Sequence, residues 1–303
     1  MARKKNNASP LSMLCALLLM GGVWVANRCD SSDKATASTT TEAVSSTSES
    51  ADISVESESA QTSSAVYTST SSAAVDKLCE VTVPSSMKKS GQRLSRAGYT
   101  LLYNKEWRLP VWVGWHLTSS HTDGSYGRKG IKFAEDEDVP TPRATNSDYV
   151  NSGYDRGHIC PSGDNKWSEQ AQQQSFLYTN CCPQLHNLNA GDWKELEEQC
   201  RTWAQKYGDI YIVAGPLLLN KQHKTIGRNK VIVPEAFFKV VLCMSGTPKA
   251  IGFIYRNEVT NKKMSSYVNS VDEVERITGY DFFAALPDDV EKKVEKAADL
   301  GEW

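Results

Sequence analysis

Residues 180–207 read Asn-Cys-Cys-Pro-Gln-Leu-His-Asn-Leu-Asn-Ala-Gly-Asp-Trp-Lys-Glu-Leu-Glu-Glu-Gln-Cys-Arg-Thr-Trp-Ala-Gln-Lys-Tyr. Trp193, Leu196, Cys200, Trp203 and Tyr207 recur at spacings of three and four, one apolar stripe on a helix predicted over 192–207. Asn189 stands near its start as an N-cap and Gly208 ends it. At the helix entrance, the amide oxygen of Asn189 is a suitable ligand for a hard cation such as Mg²⁺, which takes few protein ligands and keeps most of its waters. Glu197 follows two turns on, about 12 Å in axial rise, and is better placed to hold a metal-bound water than to be a neighbouring direct ligand. Arg201 is four residues further on the same face, where it orients the carboxylate or meets a phosphate. Plainer readings compete: Asn189 as a simple cap, and Glu197 with Arg201 as a surface pair.

Upstream lies Asp155-Arg156-Gly157-His158. Arg156 is a permanent, fork-shaped cation suited to phosphate, and His158 can accept a proton near neutral pH. Gly157 permits unusual backbone conformations or the close approach of a phosphate. Alone, this tetrapeptide has an ordinary structural reading, with an Asp-Arg surface pair and a structural histidine. It gains weight from Asn180, Asn189 and Glu197 downstream.

Around these segments, 98–118 alternates apolar and polar positions and predicts two strands around a turn near 104–110. Residues 119–148 read as a long loop, the kind that often carries function. Residues 167–178 read as helical. Strands are expected at 210–214, 231–233, 237–244 and 250–255, and helices at 271–278 and 288–297. Without regular βαβ alternation, the mixture predicts an α+β fold with an antiparallel-rich sheet.

Taken together, these motifs resemble the DNA/RNA non-specific endonuclease family, the ββα-metal (His-Me finger) nucleases. Asp155-Arg156-Gly157-His158, Asn180-x-x-Pro183-Gln184, Leu188-Asn189 and Trp193…Leu196-Glu197 carry the likeness. Gly215-Pro216-Leu217, Val233-Pro234 leading to Phe237-Phe238-Lys239, Val271-Asp272-Glu273-Val274-Glu275 and Leu286-Pro287-Asp288-Asp289-Val290 extend it over roughly residues 95–295. The resemblance implies a central sheet flanked by helices and a Mg²⁺-dependent endonuclease, with Mn²⁺ or another divalent cation as a substitute. It implies DNA and RNA as substrates, cut with little sequence preference to leave a 5′-phosphate. It implies His158 as general base, the metal held by Asn189 with Glu197 acting through water, and Arg156 neutralising the phosphate. It further implies that Asn180 orients His158 or a water and that Arg128 contacts substrate; Arg201 is added as a substrate contact from its place on the helix. Contacts to phosphate carry no base information, in keeping with low specificity.

The rest of the chain has a different character. Arg3, Lys4 and Lys5 precede the nearly apolar run Leu11–Ala26, so residues 1–30 read as an export signal or membrane anchor. Cleavage, retention and lipidation at Cys29 remain open, with Trp24 and Arg28 unfavourable to the first and last. Residues 31–75, rich in Ser, Thr and Ala, read as a solvated tether, which leaves 76–303 as one domain. The net charge is −2. Lys34 stands against six acids in the tether, and the N-terminal segment is basic, so the domain itself is close to neutral. Neutrality is weak evidence about a polyanionic partner, because an enzyme needs only a local positive site. Six cysteines fall in the domain, at 79, 160, 181, 182, 200 and 243. In an exported chain they are expected to pair, with buried free thiols as the alternative; their spacing does not match a zinc ligand set. Two other functions compete. One is a cysteine hydrolase using Cys181 or Cys182 with His158 or His186. The other is a catalytically inactive exported nucleic-acid-binding domain of the same fold.

Overall fold

The computed structural model describes residues 77–303, so the expected targeting segment and tether lie outside the described residues. A seven-stranded sheet forms the centre. Across it lie Val268–Asn269, Lys249–Arg256, Ala236–Cys243, Asp209–Leu217, Leu109–Thr118, Thr100–Asn104 and Gly91–Ser95. Every neighbouring pair is antiparallel.

Both faces of this sheet are covered, which explains why its inner strands are apolar nearly throughout. Side chains alternate between the faces. Ile210, Ile212 and Ala214 join a cluster with Trp193, Leu196, Cys200 and Trp203 of the long helix Asp192–Tyr207. Tyr211 and Val213 join a second cluster with Val271, Val274 and Val294, from the helices Val271–Thr278 and Asp288–Glu295. The α+β architecture expected from the sequence is therefore present, with helices on each face.

The expected strands around 104–110 pair as read, turning at Asn104, whose Oδ1 accepts hydrogen bonds from the backbone N–H groups of Glu106 and Trp107. The long helix ends at Gly208, which takes φ 93°, a conformation suited to glycine. Its start differs from expectation. Asn189 is not its N-cap; it lies in a separate short helix, His186–Ala190, and Gly191 makes the joint. The edge strand Gly91–Ser95 and the strand Cys181–Gln184 have no clear alternation to announce them.

A two-stranded antiparallel ribbon stands apart from the main sheet. Asp155–His158 pairs with Cys181–Gln184, placing His158 opposite Cys181 and Asp155 opposite Gln184. The second strand runs directly into the short helix and then the long one, which completes a ββα unit. The expected cysteine pairing is not seen at five of the six positions: Cys160, Cys181, Cys182, Cys200 and Cys243 are buried free thiols, and Cys79 is buried.

Candidate active site

The ββα unit opens on a cleft of about 530 Å³ lined by Arg128, Arg156, His158, Asn189, Glu197 and Arg201, among others. Residues read separately along seventy positions of chain thus share one wall-to-wall space. Asn180 is the exception.

His158 closes its strand, and its ring is held between two phenylalanines. Phe133 lies 4.9 Å away, tilted, and Phe176 lies 4.9 Å away, perpendicular. Nε2 is shut off from solvent with no hydrogen-bond partner, which leaves Nδ1 as the nitrogen open to the cleft. Burial, with the Arg128 guanidinium adding to it, pushes the imidazole pKa down to about 3. The ring is therefore neutral at physiological pH and able to accept a proton. An anion bound beside Arg128 would offset that cation and raise the basicity of the ring.

Gly157 is needed for a reason the sequence did not disclose. A Cβ there would lie 2.2 Å from Oε1 of Gln184, so the glycine makes room for a buried side chain from the partner strand. It neither adopts a left-handed conformation nor opens a path to phosphate. Arg156 donates from Nη2 to Oδ1 of Asn146 at 2.7 Å, and its guanidinium lies over Tyr149 and Phe133 at 5.5 and 5.9 Å. These contacts hold the guanidinium fork in one orientation. Arg128 is exposed and rests on Phe176 at 5.4 Å.

Asn189 gains its orientation from Asp155. Its Nδ2 donates to Oδ2 of Asp155 at 2.9 Å, and the same oxygen lies 2.8 Å from Nδ1 of His186. A carboxylate can only accept from an amide, so the amide oxygen must face away from it. That oxygen has no hydrogen-bond partner among the described residues, and Asn189 lines the cleft. Glu197 supplies a second oxygen donor. Its pKa is pushed up to about 7, because burial outweighs the pull of Lys239 and Asp164 adds repulsion. A free amide oxygen and an under-compensated carboxyl, both hard donors in one cleft, fit a Mg²⁺-type cation.

Arg201 is fixed from behind. Its Nη1 donates to Oδ1 of buried Asp164 at 3.0 Å, while Oδ2 of Asp164 accepts from the Trp115 indole at 3.0 Å. Burial raises the pKa of Asp164, and Arg201 and Lys239 counter it. Lys239 itself is fully buried, with Nζ 4.6 Å from the Trp193 ring centre and 5.1 Å from that of Trp115, and no hydrogen-bond partner. Asp155, Asp164 and Lys239 had no assigned role in the sequence reading. For Lys239 a signal was present: one charge within the otherwise apolar run Ala236–Cys243.

The expectation for Asn180 is corrected. Its side chain is fully buried and does not line the cleft. Nδ2 donates to the carbonyls of Cys160 and Ser175 at 2.8 and 2.9 Å, and Oδ1 accepts from the N–H of Cys160 at 2.9 Å. It clasps the turn after His158 instead of reaching into the cleft. The cysteine-hydrolase alternative also fails. Cys181 and Cys182 are fully buried, and burial pushes both thiols well above their ordinary range, away from the nucleophilic thiolate.

The chain is 36% identical over 207 residues to the mitochondrial nuclease EXOG of Xenopus laevis, covering 63% of this chain and 58% of that protein. It is 35% identical over 209 residues to nuclease C1 of Cunninghamella echinulata var. echinulata, covering 64% and 83%. The chain thus spans less than two thirds of EXOG but most of nuclease C1. The crystal structure of EndoG in complex with EndoGI superposes with a TM-score of 0.62 at 29% identity, covering 64% of this chain and 86% of that one. Residues 76–289 match the sequence profile described as DNA/RNA non-specific endonuclease, and the chain belongs to that family.

Proposed function

We propose that this protein is a divalent-metal-dependent endonuclease that hydrolyses phosphodiester bonds of DNA and RNA with little sequence preference. What supports the reading above all is that His158, Asn189 and Glu197 line one cleft together with three arginines. Nδ1 of His158 takes a proton from the attacking water, as a neutral, buried imidazole can. Arg156 and Arg128 hold the phosphate from the ribbon side, and Arg201 holds it from the helix side. Their preset orientations let them stabilise charge that grows in the transition state. Asn189 and Glu197 would hold Mg²⁺, with Mn²⁺ as a substitute. When bound, the cation would supply Lewis-acid stabilisation of the phosphate and of the leaving oxygen. Asp155 keeps the Asn189 amide oxygen turned toward the cleft. All these groups address phosphate, so the reaction has no reason to depend on base identity.

The decisive assay compares the full chain with His158→Ala on plasmid DNA and on RNA, with Mg²⁺ and with a chelator. The reading expects cleavage by the wild type only, on both substrates, abolished by chelation. Equal activity of the variant, or activity untouched by chelation, overturns it.

We further propose that the basic and apolar residues 1–30 export the chain or tether it to a membrane, with residues 31–75 as spacer. Fusing residues 1–75 to a reporter and fractionating cells tests this. A reporter that stays in the soluble interior fraction rules it out.

A further inference from the structure

On the sheet face opposite the cleft's long helix, three carboxylates from two helices converge. Asp272 and Glu275 stand one turn apart on Val271–Thr278, and Glu295 ends Asp288–Glu295. One oxygen from each lies within 4.8 Å of the other two. Two oxygens bound to one Ca²⁺ at about 2.4 Å are between about 3 and 4.8 Å apart, so the spacing suits a shared ion of that size.

Glu295 distinguishes this cluster from an ordinary acidic surface. The residue is 7% exposed, and its Oε1 is sealed from solvent with no hydrogen-bond partner. Glu275 is also held: its Oε1 accepts from the N–H of Phe282 at 2.8 Å. Asp272 is exposed, which gives an ion a way in. Among the described residues no basic side chain is paired with any of the three. Arg276, on the same helix, is committed to Glu273 at 2.6 Å, and the other charged groups acting on the cluster, Asp281 and Glu291, are acidic. Burial and this mutual repulsion push Glu275 up to about 7 and Glu295 up to about 8.

We propose that Asp272, Glu275 and Glu295 form a second cation site, separate from the catalytic cleft, that binds Ca²⁺ and joins the two C-terminal helices. The donor set is all oxygen and all anionic, which selects a hard divalent ion over a transition metal. Three carboxylates gathered around one point suit Ca²⁺ better than Mg²⁺, which keeps most of its waters and is usually held by one or two carboxylates. The bound ion would also secure Phe282, whose strand pairs with Val81–Thr82, and so the point where the chain enters the domain.

The test uses the full chain carrying Asn189→Ala, which silences the catalytic cleft, stripped of metal and titrated with CaCl2 by calorimetry and thermal denaturation. One Ca²⁺ per chain is expected, with Tm rising by about 5–10 °C at a hundredfold excess over Kd. Adding Glu295→Gln should weaken binding at least tenfold and cut the shift to about half or less. Adding Asp272→Asn, at an exposed position that does not threaten folding, should do the same. No binding in the Asn189→Ala chain overturns the proposal, and so does undiminished binding in the Asp272→Asn chain. A chain that is stabilised by mild acid yet indifferent to Ca²⁺ also overturns it, because the carboxyls then share protons instead of a cation.

Discussion

Replacing Asp155 with alanine tests whether the amide of Asn189 is held for metal binding. The carboxylate is one-third exposed, and Oδ2 accepts from Nδ2 of Asn189 at 2.9 Å. A hydrogen bond to a charged group contributes about 1.5–3 kcal/mol, and loss of such an outer partner typically costs about 10–100-fold in metal affinity. In Asp155→Ala the amide can rotate and present either nitrogen or oxygen to the cleft. The Mg²⁺ concentration for half-maximal plasmid nicking should therefore rise about 10–100-fold, while the rate at saturating Mg²⁺ stays within about threefold of wild type. Asp155→Asn keeps an acceptor and should show a smaller rise. His186 touches the same oxygen but is 75% exposed, so His186→Ala should change the midpoint by no more than about threefold, in line with the small worth of exposed pairs. An Asp155→Ala enzyme whose Mg²⁺ midpoint is unchanged, or whose activity no amount of Mg²⁺ restores, would refute this account of Asn189.

Three further outcomes follow from the same geometry. His158→Leu should lose activity by about 10²–10⁴-fold yet unfold at the same or a higher temperature, because it removes a buried nitrogen that has no partner; a large drop in Tm would mean the ring is structural. Asn180→Ala strands three buried backbone groups and should cost about 3 kcal/mol or more in urea unfolding; activity lost with stability intact would restore the chemical role expected from the sequence. Lys239→Met matches the apolar walls but leaves Asp164 and Glu197 short of a cation, and a loss of about 3–5 kcal/mol is expected. A more stable Lys239→Met protein would show that the ammonium is a burden at that position.

What the sequence disclosed and what it withheld divide along a physical line. Helix Asp192–Tyr207 was legible to the residue because packing one face on a sheet imposes a 3.6-residue period. The inner strands were legible as strands, but the alternation read at 98–118 does not survive in Leu109–Thr118, which is buried nearly throughout because both faces of the sheet are covered. His158, Asn189 and Glu197 were legible because their motifs lie close together in the chain. Partnerships across long separations were not. Asp155 meets Asn189 only because the ribbon register sets it opposite Gln184, two residues before the short helix begins. No spacing rule reveals that Gly157 yields to Gln184, or that Asn180 spends its amide on Cys160. The expectation that the cysteines pair rested on the inferred compartment, not on geometry, and Cys160, Cys181, Cys182, Cys200 and Cys243 lie buried as thiols.

Charge shows the same division at the scale of the whole domain. A nearly neutral domain would seem a poor match for a polyanion, yet the cleft is lined by Arg128, Arg156, Lys166, Lys194 and Arg201 against only Asp155 and Glu197. The compensating acids lie elsewhere, among them the carboxylates gathered on the opposite sheet face. In the proposed nuclease, separating the charges in this way would give a polyanionic substrate an attractive local field without making the entire surface adhesive. It also concentrates repulsion on the far face, where Asp272, Glu275 and Glu295 have no basic partner. The cation site proposed there and the basic cleft are thus two consequences of one distribution, in which net charge is balanced over the domain and unbalanced at each face.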